Sequence, residues 1–206
     1  INLSYDIEKE IFNLNEIAGL LPLGDLKLTN EISNEYNEYS LQINNTDSSN
    51  LNKILNLFST NNASKWFVEN VNDAQIIKLN ATRKSYKTDN NSSDQLEINI
   101  DFSQADFAYY KNYPNIQNSR GNLILNNKEI SVQLDEGEIL LENSSKVKIR
   151  NSLGKIFNVD NKYMADFEIQ ADCSIQDCIN YFYEIGVNED NLVDLENRIS
   201  GNASIN

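Results

Sequence analysis

The side chains in this sequence that could do chemistry are mostly carboxylates. Asp94, Asp135, Glu136 and Glu138 could supply the paired acids of a glycoside hydrolase, in which one carboxyl donates a proton and the other attacks or activates water. A solvated acidic surface explains them more simply, because 31 acidic side chains stand against 17 basic ones and the formal net charge is −14. Further candidates of the same kind are Glu189, Asp190 and Asp194.

Other catalytic and ligand-binding signals are weak. The chain has no histidine, which removes the commonest general base and the usual zinc ligand. The run Asn188-Glu189-Asp190-Asn191 could bind calcium through oxygens, but it lacks the spacing and the glycine of a twelve-residue calcium loop, so we expect a polar loop. The acidic balance disfavours phosphate backbones. We therefore predict no cofactor, no metal and no nucleic-acid partner, and a paired-carboxylate hydrolase stays open at this point.

The two cysteines, Cys173 and Cys178, are five positions apart. On one continuous helix this spacing puts them on different faces, so we expect two small, buried or half-buried thiols. The alternative is a disulfide across a corner between a strand and a helix. The redox compartment does not follow from the pair alone.

Period-two alternation of apolar and polar residues is the dominant signal of the sequence. In the run from Leu96 to Phe102 every second residue is apolar. This alternation predicts a strand with one apolar face and one solvent-exposed polar face. Two similar runs flank the polar cluster 126–129, which predicts a hairpin. We predict that one apolar face is formed by Leu96, Ile98, Ile100, Phe102, Leu123, Leu125, Ile130, Val132, Leu134, Tyr163, Ala165, Phe167 and Ile169.

Three segments with helical spacing interrupt the strands. The first follows the capping cluster at Asp47, the second carries Trp66, Phe67 and Val71, and the third begins after Ser174 and ends before a glycine. The helices lie near residues 50–71 and 174–184. The fold class is therefore mainly β, an antiparallel sheet of amphipathic strands with a few short helices.

An antiparallel sheet of such strands must have its apolar face covered. A second sheet could make a sandwich, or the short helices could cap the face. The third possibility is a groove whose cover is a hydrophobic ligand. Alternation alone leaves all three open and favours the sandwich or the capped sheet.

Two segments resemble a known family. Residues 51–58 form a leucine-rich turn, and residues 63–71 then carry a basic residue, Trp66 and aliphatic residues before a strand at 74–79. Residues 105–116 form a polar, aromatic and proline turn, followed by a Gly-x-Leu hairpin from Gly121 and by Gly137. This order is similar to the AsmA-like central region of the YhdP and TamB group of bacterial envelope proteins. The match departs where Asp73-Ala74 replaces the family's usual glycine.

The resemblance implies a repeating β-groove, which is a curved sheet with a hydrophobic interior that carries phospholipid acyl chains between the inner and outer membrane. It implies that residues 1–46 end a preceding repeat, that 47–184 form a central repeat and that 185–206 begin the next. The chain would be an internal fragment of a periplasmic protein. Parts of the parent outside this chain would make the membrane contact and anchor it in the inner membrane. The apolar face defined above would line the groove, no catalytic residue is implied, and we therefore predict a non-enzymatic protein.

Two other functions compete with lipid transport. One is an extracellular β-sandwich or solenoid that acts as a binding or adhesion module, and the other is the acidic hydrolase considered above. If the lipid-groove hypothesis is right, charged substitutions at Ile98, Val132 and Phe167 should abolish lipid co-purification and leave the β content largely intact.

Overall fold

The computed structural model describes nine stretches of the chain: residues 2–6, 11–21, 24–51, 69–87, 94–108, 113–126, 129–159, 162–187 and 202–205. Within these stretches, side chains are described for residues 24–51, 69–87, 94–108, 113–126, 129–157 and 166–187. The chain is mainly β, and its strands form one curved, unclosed antiparallel sheet. The predicted fold class is confirmed.

Within these described stretches the sheet contains 12 strands, and their order across the sheet follows their order in the chain, apart from β5, which pairs with β7. The strands are β1 (Asn2–Asp6), β2 (Ile11–Leu21), β3 (Gly24–Ile32), β4 (Tyr36–Asp47), β5 (Val71–Asn72), β6 (Gln75–Tyr86), β7 (Asp94–Phe107), β8 (Ile116–Asn126), β9 (Glu129–Leu140), β10 (Lys146–Val159), β11 (Lys162–Ser174) and β12 (Asn202–Ile205).

The strand register lines up the apolar positions into one continuous face. Ile98 lies opposite Leu125, Ile100 lies opposite Leu123, and Leu123 lies opposite Val132 on the next strand. Because directly opposed residues of antiparallel strands point to the same side, these side chains share one face. We call this side of the sheet the apolar face.

The other side of the sheet is polar. At its centre, the Asn122 side-chain amide donates hydrogen bonds to Asn99 Oδ1 at 2.6 Å and to Asp101 Oδ1 at 2.8 Å. A second contact on this side joins the Ser40 and Thr82 hydroxyls at 3.4 Å. We call this side the polar face.

A row of bulges crosses the sheet from β7 to β10. Gln104, Asn118 and Asn151 have φ of 55°, 49° and 46°, in the left-handed region that asparagine tolerates better than most residues. The pairing register shifts beside each of them. A bulge bends its strand and changes which residues face inward, so this row contributes to the curvature of the sheet.

Helix α1 (Ile175–Glu184) follows β11 directly and packs near the ends of β10, β11 and β12. The Ser174 side chain caps it by accepting a hydrogen bond from the backbone N–H of Asp177 at 3.1 Å. Gly186, with φ of 78°, lies just beyond its C-terminal end, as the sequence predicted.

Cys178 of α1 is bonded to Cys173 of β11 in a disulfide with a Cα–Cα distance of 5.8 Å. The expectation of two thiols is therefore wrong, because the helix begins between them and turns both toward each other.

The other helical predictions have mixed outcomes. Residues 48–51 are helical, and Asp47 Oδ1 accepts from the backbone N–H of Asn50 at 2.8 Å, which confirms the predicted start. Residues 52–68, including Trp66 and Phe67, lie outside the described residues. Val71 was expected on a helix but belongs to β5, where it lies opposite Phe107 of β7 and is 2% exposed. Sheet pairing and burial outweigh its place in a helical pattern.

Candidate functional site

The apolar face opens toward solvent over β9, β10 and β11. A pocket there is lined by Phe107, Ile116, Val132, Leu134, Ile149, Ser152, Leu153, Gly154, Ile156, Phe167 and Ile169. Val132, Ile156 and Ile169 are half-buried, and Phe167 is 38% exposed. Side chains on the same face nearer the middle of the sheet are almost fully buried. We call this pocket the β9–β11 trough.

Gly154 and Phe167 form the floor of the trough. Gly154 lies opposite both Val132 and Phe167 in the register, and a Cβ at Gly154 would come within 2.8 Å of the Phe167 ring. The ring therefore occupies the space that a side chain at 154 would take. Glycine is needed here because it lets the aromatic ring lie flat over the backbone of β10.

The trough is small. Its cavity volume is about 40 Å³, on a scale where one water molecule needs about 10–15 Å³. It therefore holds roughly three groups of the size of a water molecule or a methylene. A longer apolar molecule would place only a short segment inside and would lie along the half-exposed side chains outside.

Polar chemistry is nearly absent from the trough lining. Ser152 contributes its hydroxyl. This hydroxyl donates a hydrogen bond to the Arg150 carbonyl oxygen at 3.2 Å. It accepts a hydrogen bond from the backbone N–H of Gln170 at 3.0 Å. Both hydrogen bonds stay within the sheet. The lining residues that the structure describes include no charged side chain. They suit a neutral apolar group and give an anionic head group no charged partner.

The predicted lining residues fall into two groups. Those in the middle of the apolar face are covered by protein, with exposed fractions between 0% and 6%: Ile98, Ile100, Phe102, Leu123, Leu125, Ile130 and Leu134. A ligand could not contact most of these side chains without displacing protein. They are core residues, joined in one hydrophobic cluster. Among them, Leu134 also borders the trough.

The remaining predicted residues lie nearer the open part of the face. Val132, Phe167 and Ile169 meet in the trough, whereas Leu96 is half-buried at the far end of β7. The side chains of Tyr163 and Ala165 lie outside the described residues. The structure thus brings four of the predicted residues, counting Leu134, to one site.

Sequence reasoning missed the lining residues that follow a bulge. The apolar alternation of β10 runs through Val147 and Ile149, but after Asn151 the inward positions become Ser152, Gly154 and Ile156. On β7 the phase changes at Gln104 in the same way and brings Phe107 inward. A search that allowed a one-residue slip at an asparagine or glutamine between two alternating runs would have found them.

Those candidate carboxylates for hydrolysis that the structure describes do not converge on the trough. Asp94 pairs with Arg83, Asp135 and Glu136 lie 3.9 and 3.5 Å from Arg120 Nε, and Glu138 pairs with Lys146. A hydrogen bond from the Ser85 side chain, with help from Arg83, lowers the pKa of Asp94 below its ordinary value of 3.8. A general acid needs the opposite shift. Glu189, Asp190 and Asp194 lie outside the described residues, as does the candidate calcium run.

Two further searches covered the described part of the chain. Its Asp, Glu and Cys side chains form no group of three or more that could hold a metal ion. Its helices include none with the length and apolar character to cross a membrane.

Comparisons of this chain with protein-family models, with curated proteins and with solved structures give no match.

Proposed function

We propose that this chain is a non-enzymatic lipid-binding segment, and that the β9–β11 trough holds part of the acyl chain of a phospholipid. In a parent protein of the bacterial cell envelope, such a segment would help to conduct phospholipid between the inner and outer membrane. The envelope setting rests on the sequence resemblance. The binding role rests on the trough itself.

The observation that carries this proposal is a set of apolar side chains left half-exposed on an otherwise buried face. Val132, Ile156, Phe167 and Ile169 border a pocket with almost no polar lining. Each methylene that enters it would gain about 0.8 kcal/mol, about the same as in a bilayer. Moving a chain between the trough and a membrane would therefore need little net free energy.

The Cys173–Cys178 disulfide supports the proposed compartment. Disulfides persist in the periplasm and outside cells and are rare in a reducing cytosol. This agrees with a periplasmic location and equally with an extracellular one.

Mass spectrometry of organic extracts from the purified chain tests the proposal. We expect phospholipid in the extract of the wild type and a loss of at least five-fold for Phe167→Asp, because the charge would lie at the floor of the trough. Leu140→Asp is the matched control, since Leu140 is 42% exposed and is not part of the lining. Absence of lipid from the wild type, or equal loss in both variants, would contradict the proposal.

The exposed fractions of the side chains decide which further variants can test lipid binding. Ile98 is 1% exposed, so a charge there would unfold the core and would not report on the lining. Val132→Asp, at a half-buried lining position, is the better second variant. Circular dichroism of each variant separates lost binding from lost folding.

A binding or adhesion module remains the second candidate, and one observation favours it. The middle of the apolar face is closed, with Ile100 and Leu123 at 0% exposure. A closed, dry core is what such a module requires. It predicts clean organic extracts, whereas the lipid-binding segment predicts extracts that contain phospholipid.

A further inference from the structure

Helix α1 covers one end of the apolar face, next to the β9–β11 trough. On β11, Ile169, Ala171 and Cys173 are alternate residues, and the bulge beside them adds its extra residue to β10. Their side chains therefore all lie on the apolar face. Cys178 of α1 is bonded to Cys173, which places the first turn of the helix on this face. Both cysteines belong to the same hydrophobic cluster as Val147 and Ala171.

The helix is long enough to cross three strand ends. Its ten residues span about 15 Å, because an α-helix rises about 1.5 Å per residue. β9, β10 and β11 are neighbours in the sheet, and two strand spacings amount to about 10 Å. In the last turn of α1, Glu184 Oε1 accepts a hydrogen bond from the backbone N–H of Glu142 at 2.7 Å. α1 therefore starts on β11, passes β10 and ends beside the turn between β9 and β10.

The lining of the trough stops where α1 begins to cover the sheet. Ile149 lines the trough, whereas Ala171, directly opposite it on β11, is outside the lining and 7% exposed. Val147, the next apolar-face residue of β10, is also outside the lining and 2% exposed. These two side chains continue the apolar surface of the trough beneath the helix. Moving α1 would therefore lengthen the trough along β10 and β11.

The disulfide between Cys173 and Cys178 acts locally. It joins residues that are five positions apart, and closing so short a loop restricts the unfolded chain less than closing a long one. What the bond fixes directly is the first turn of α1 against β11. The pairing of β10 with β11 does not involve the sulfur atoms, so the sheet can keep its register when the bond is broken.

We propose that α1 is a lid on the trough and that the Cys173–Cys178 disulfide is its latch. A dithiol opens the latch by exchange: one of its thiolates attacks a sulfur of the bond, and its second thiol resolves the mixed disulfide. Two electrons and two protons pass to the protein, which is left with two thiols, while the dithiol becomes a disulfide. The freed helix moves off Val147 and Ala171, and the longer trough takes up more of an apolar guest. The inference rests on the proposed function, because it treats the trough as the binding site.

The closed lid is the resting state in an oxidising compartment, where disulfides persist. The cavity of the closed trough is about 40 Å³, so it holds only part of an acyl chain. Cys173 and Cys178 are 8% and 5% exposed, so the dithiol reaches them during brief local openings of α1. The lid thus keeps the capacity of the trough low until a dithiol reduces the latch.

Hydrogen exchange tests whether the bond holds the lid. We expect dithiothreitol, which is a dithiol, to speed exchange at the amides of residues 179–184 by about ten-fold, because α1 then opens more often. The amides of Ile98, Ile100 and Leu123, in the middle of the sheet, are the internal control and should keep their protection. Alkylation followed by intact-mass measurement confirms that both cysteines are reduced.

A probe that is not a lipid tests whether the open lid lengthens the trough. N-phenylnaphthylamine is neutral and apolar, and its fluorescence rises when it leaves water. We expect its affinity for wild type to rise about five-fold on reduction, because more apolar surface becomes available to it. Cys173→Ala combined with Cys178→Ala should bind it like reduced wild type, with or without dithiothreitol. Phe167→Asp should abolish the gain, whereas Leu140→Asp, outside the lining, should keep it.

Several results would overturn the proposal. They are unchanged exchange in α1 after complete reduction, loss of protection in the middle of the sheet together with α1, and a probe affinity that reduction leaves unchanged. A gain that persists in Phe167→Asp would also overturn it, because the probe would then bind outside the trough. Organic extracts give a separate answer. If the lid opens and the probe binds more tightly, but wild-type extracts contain no phospholipid, the proposed function fails and the lid stands.

Discussion

At the scale of single residues, exposure divides one apolar face into a core and a site. Ile98 and Phe167 point to the same side of the sheet, but their exposed fractions are 1% and 38%. A buried side chain contributes through its whole apolar area and through the cavity that its loss would leave. A half-exposed one contributes less to folding and is available to a ligand.

This difference predicts unequal effects of truncation. We expect Ile98→Ala to reduce the free energy of unfolding by about 3 kcal/mol, and Phe167→Ala to reduce it by about 1 kcal/mol. Urea denaturation followed by circular dichroism measures both. Equal losses would mean that Phe167 belongs to the core and would weaken its role in the trough.

The ion pair between Arg83 and Asp94 gives a pH-dependent contribution to stability. The pKa of Asp94 is lowered in the folded chain, first by the hydrogen bond from Ser85 and then by Arg83. A carboxyl with a lowered folded pKa stabilises the fold above its unfolded pKa, and that stabilisation is lost as the pH falls through the folded value. Both side chains are more than a third exposed, so the effect is small.

We therefore expect Asp94→Asn to lower the free energy of unfolding at pH 7 by at most about 1 kcal/mol. The difference from wild type should disappear in strong acid, where Asp94 is protonated in both states. Thermal melts over a pH series measure this, with Glu97→Gln as an exposed control on the same strand. A difference that persists in acid would point to packing as its cause.

At the scale of elements, the strands could be predicted and their continuation past a bulge could not. Alternation located β7, β8 and β11, because apolar and polar residues alternate along each of these strands. It failed at Asn151, where a left-handed residue moves the inward positions by one, so a period of two no longer describes β10. It also could not say which part of the apolar face is covered, because that depends on contacts between distant segments.

The corner between β11 and α1 is held by both a cap and a covalent bond. The Ser174 side chain starts the helix, and the Cys173–Cys178 bond ties its first turn to the strand. A bond that closes so short a loop stabilises mainly by restricting the unfolded chain. The sequence separation is five residues.

We expect Cys173→Ala combined with Cys178→Ala to lower the free energy of unfolding by about 2 kcal/mol. Wild type treated with a reducing agent should lose a similar amount, since both cysteine side chains keep their buried places at 8% and 5% exposure. Urea denaturation in oxidising and reducing buffer makes the comparison. If the reducing agent left the free energy of unfolding of wild type unchanged, the Cys173–Cys178 disulfide would not stabilise the fold by restricting the unfolded chain.

At the scale of the whole molecule, one sheet carries a core and a candidate site on the same apolar face. The trough lies over β9 to β11, and Phe167 forms its floor together with Gly154.

The order of the strands across the sheet also bears on how the molecule comes apart. Apart from β5, the strands pair in the order in which they follow one another in the chain. Such a meander closes small loops one after another, which favours fast folding for an all-β chain. When the molecule is pulled from its two ends, for example in a single-molecule force experiment, the strands should detach one at a time. The force trace should then show many small peaks in place of one large rupture.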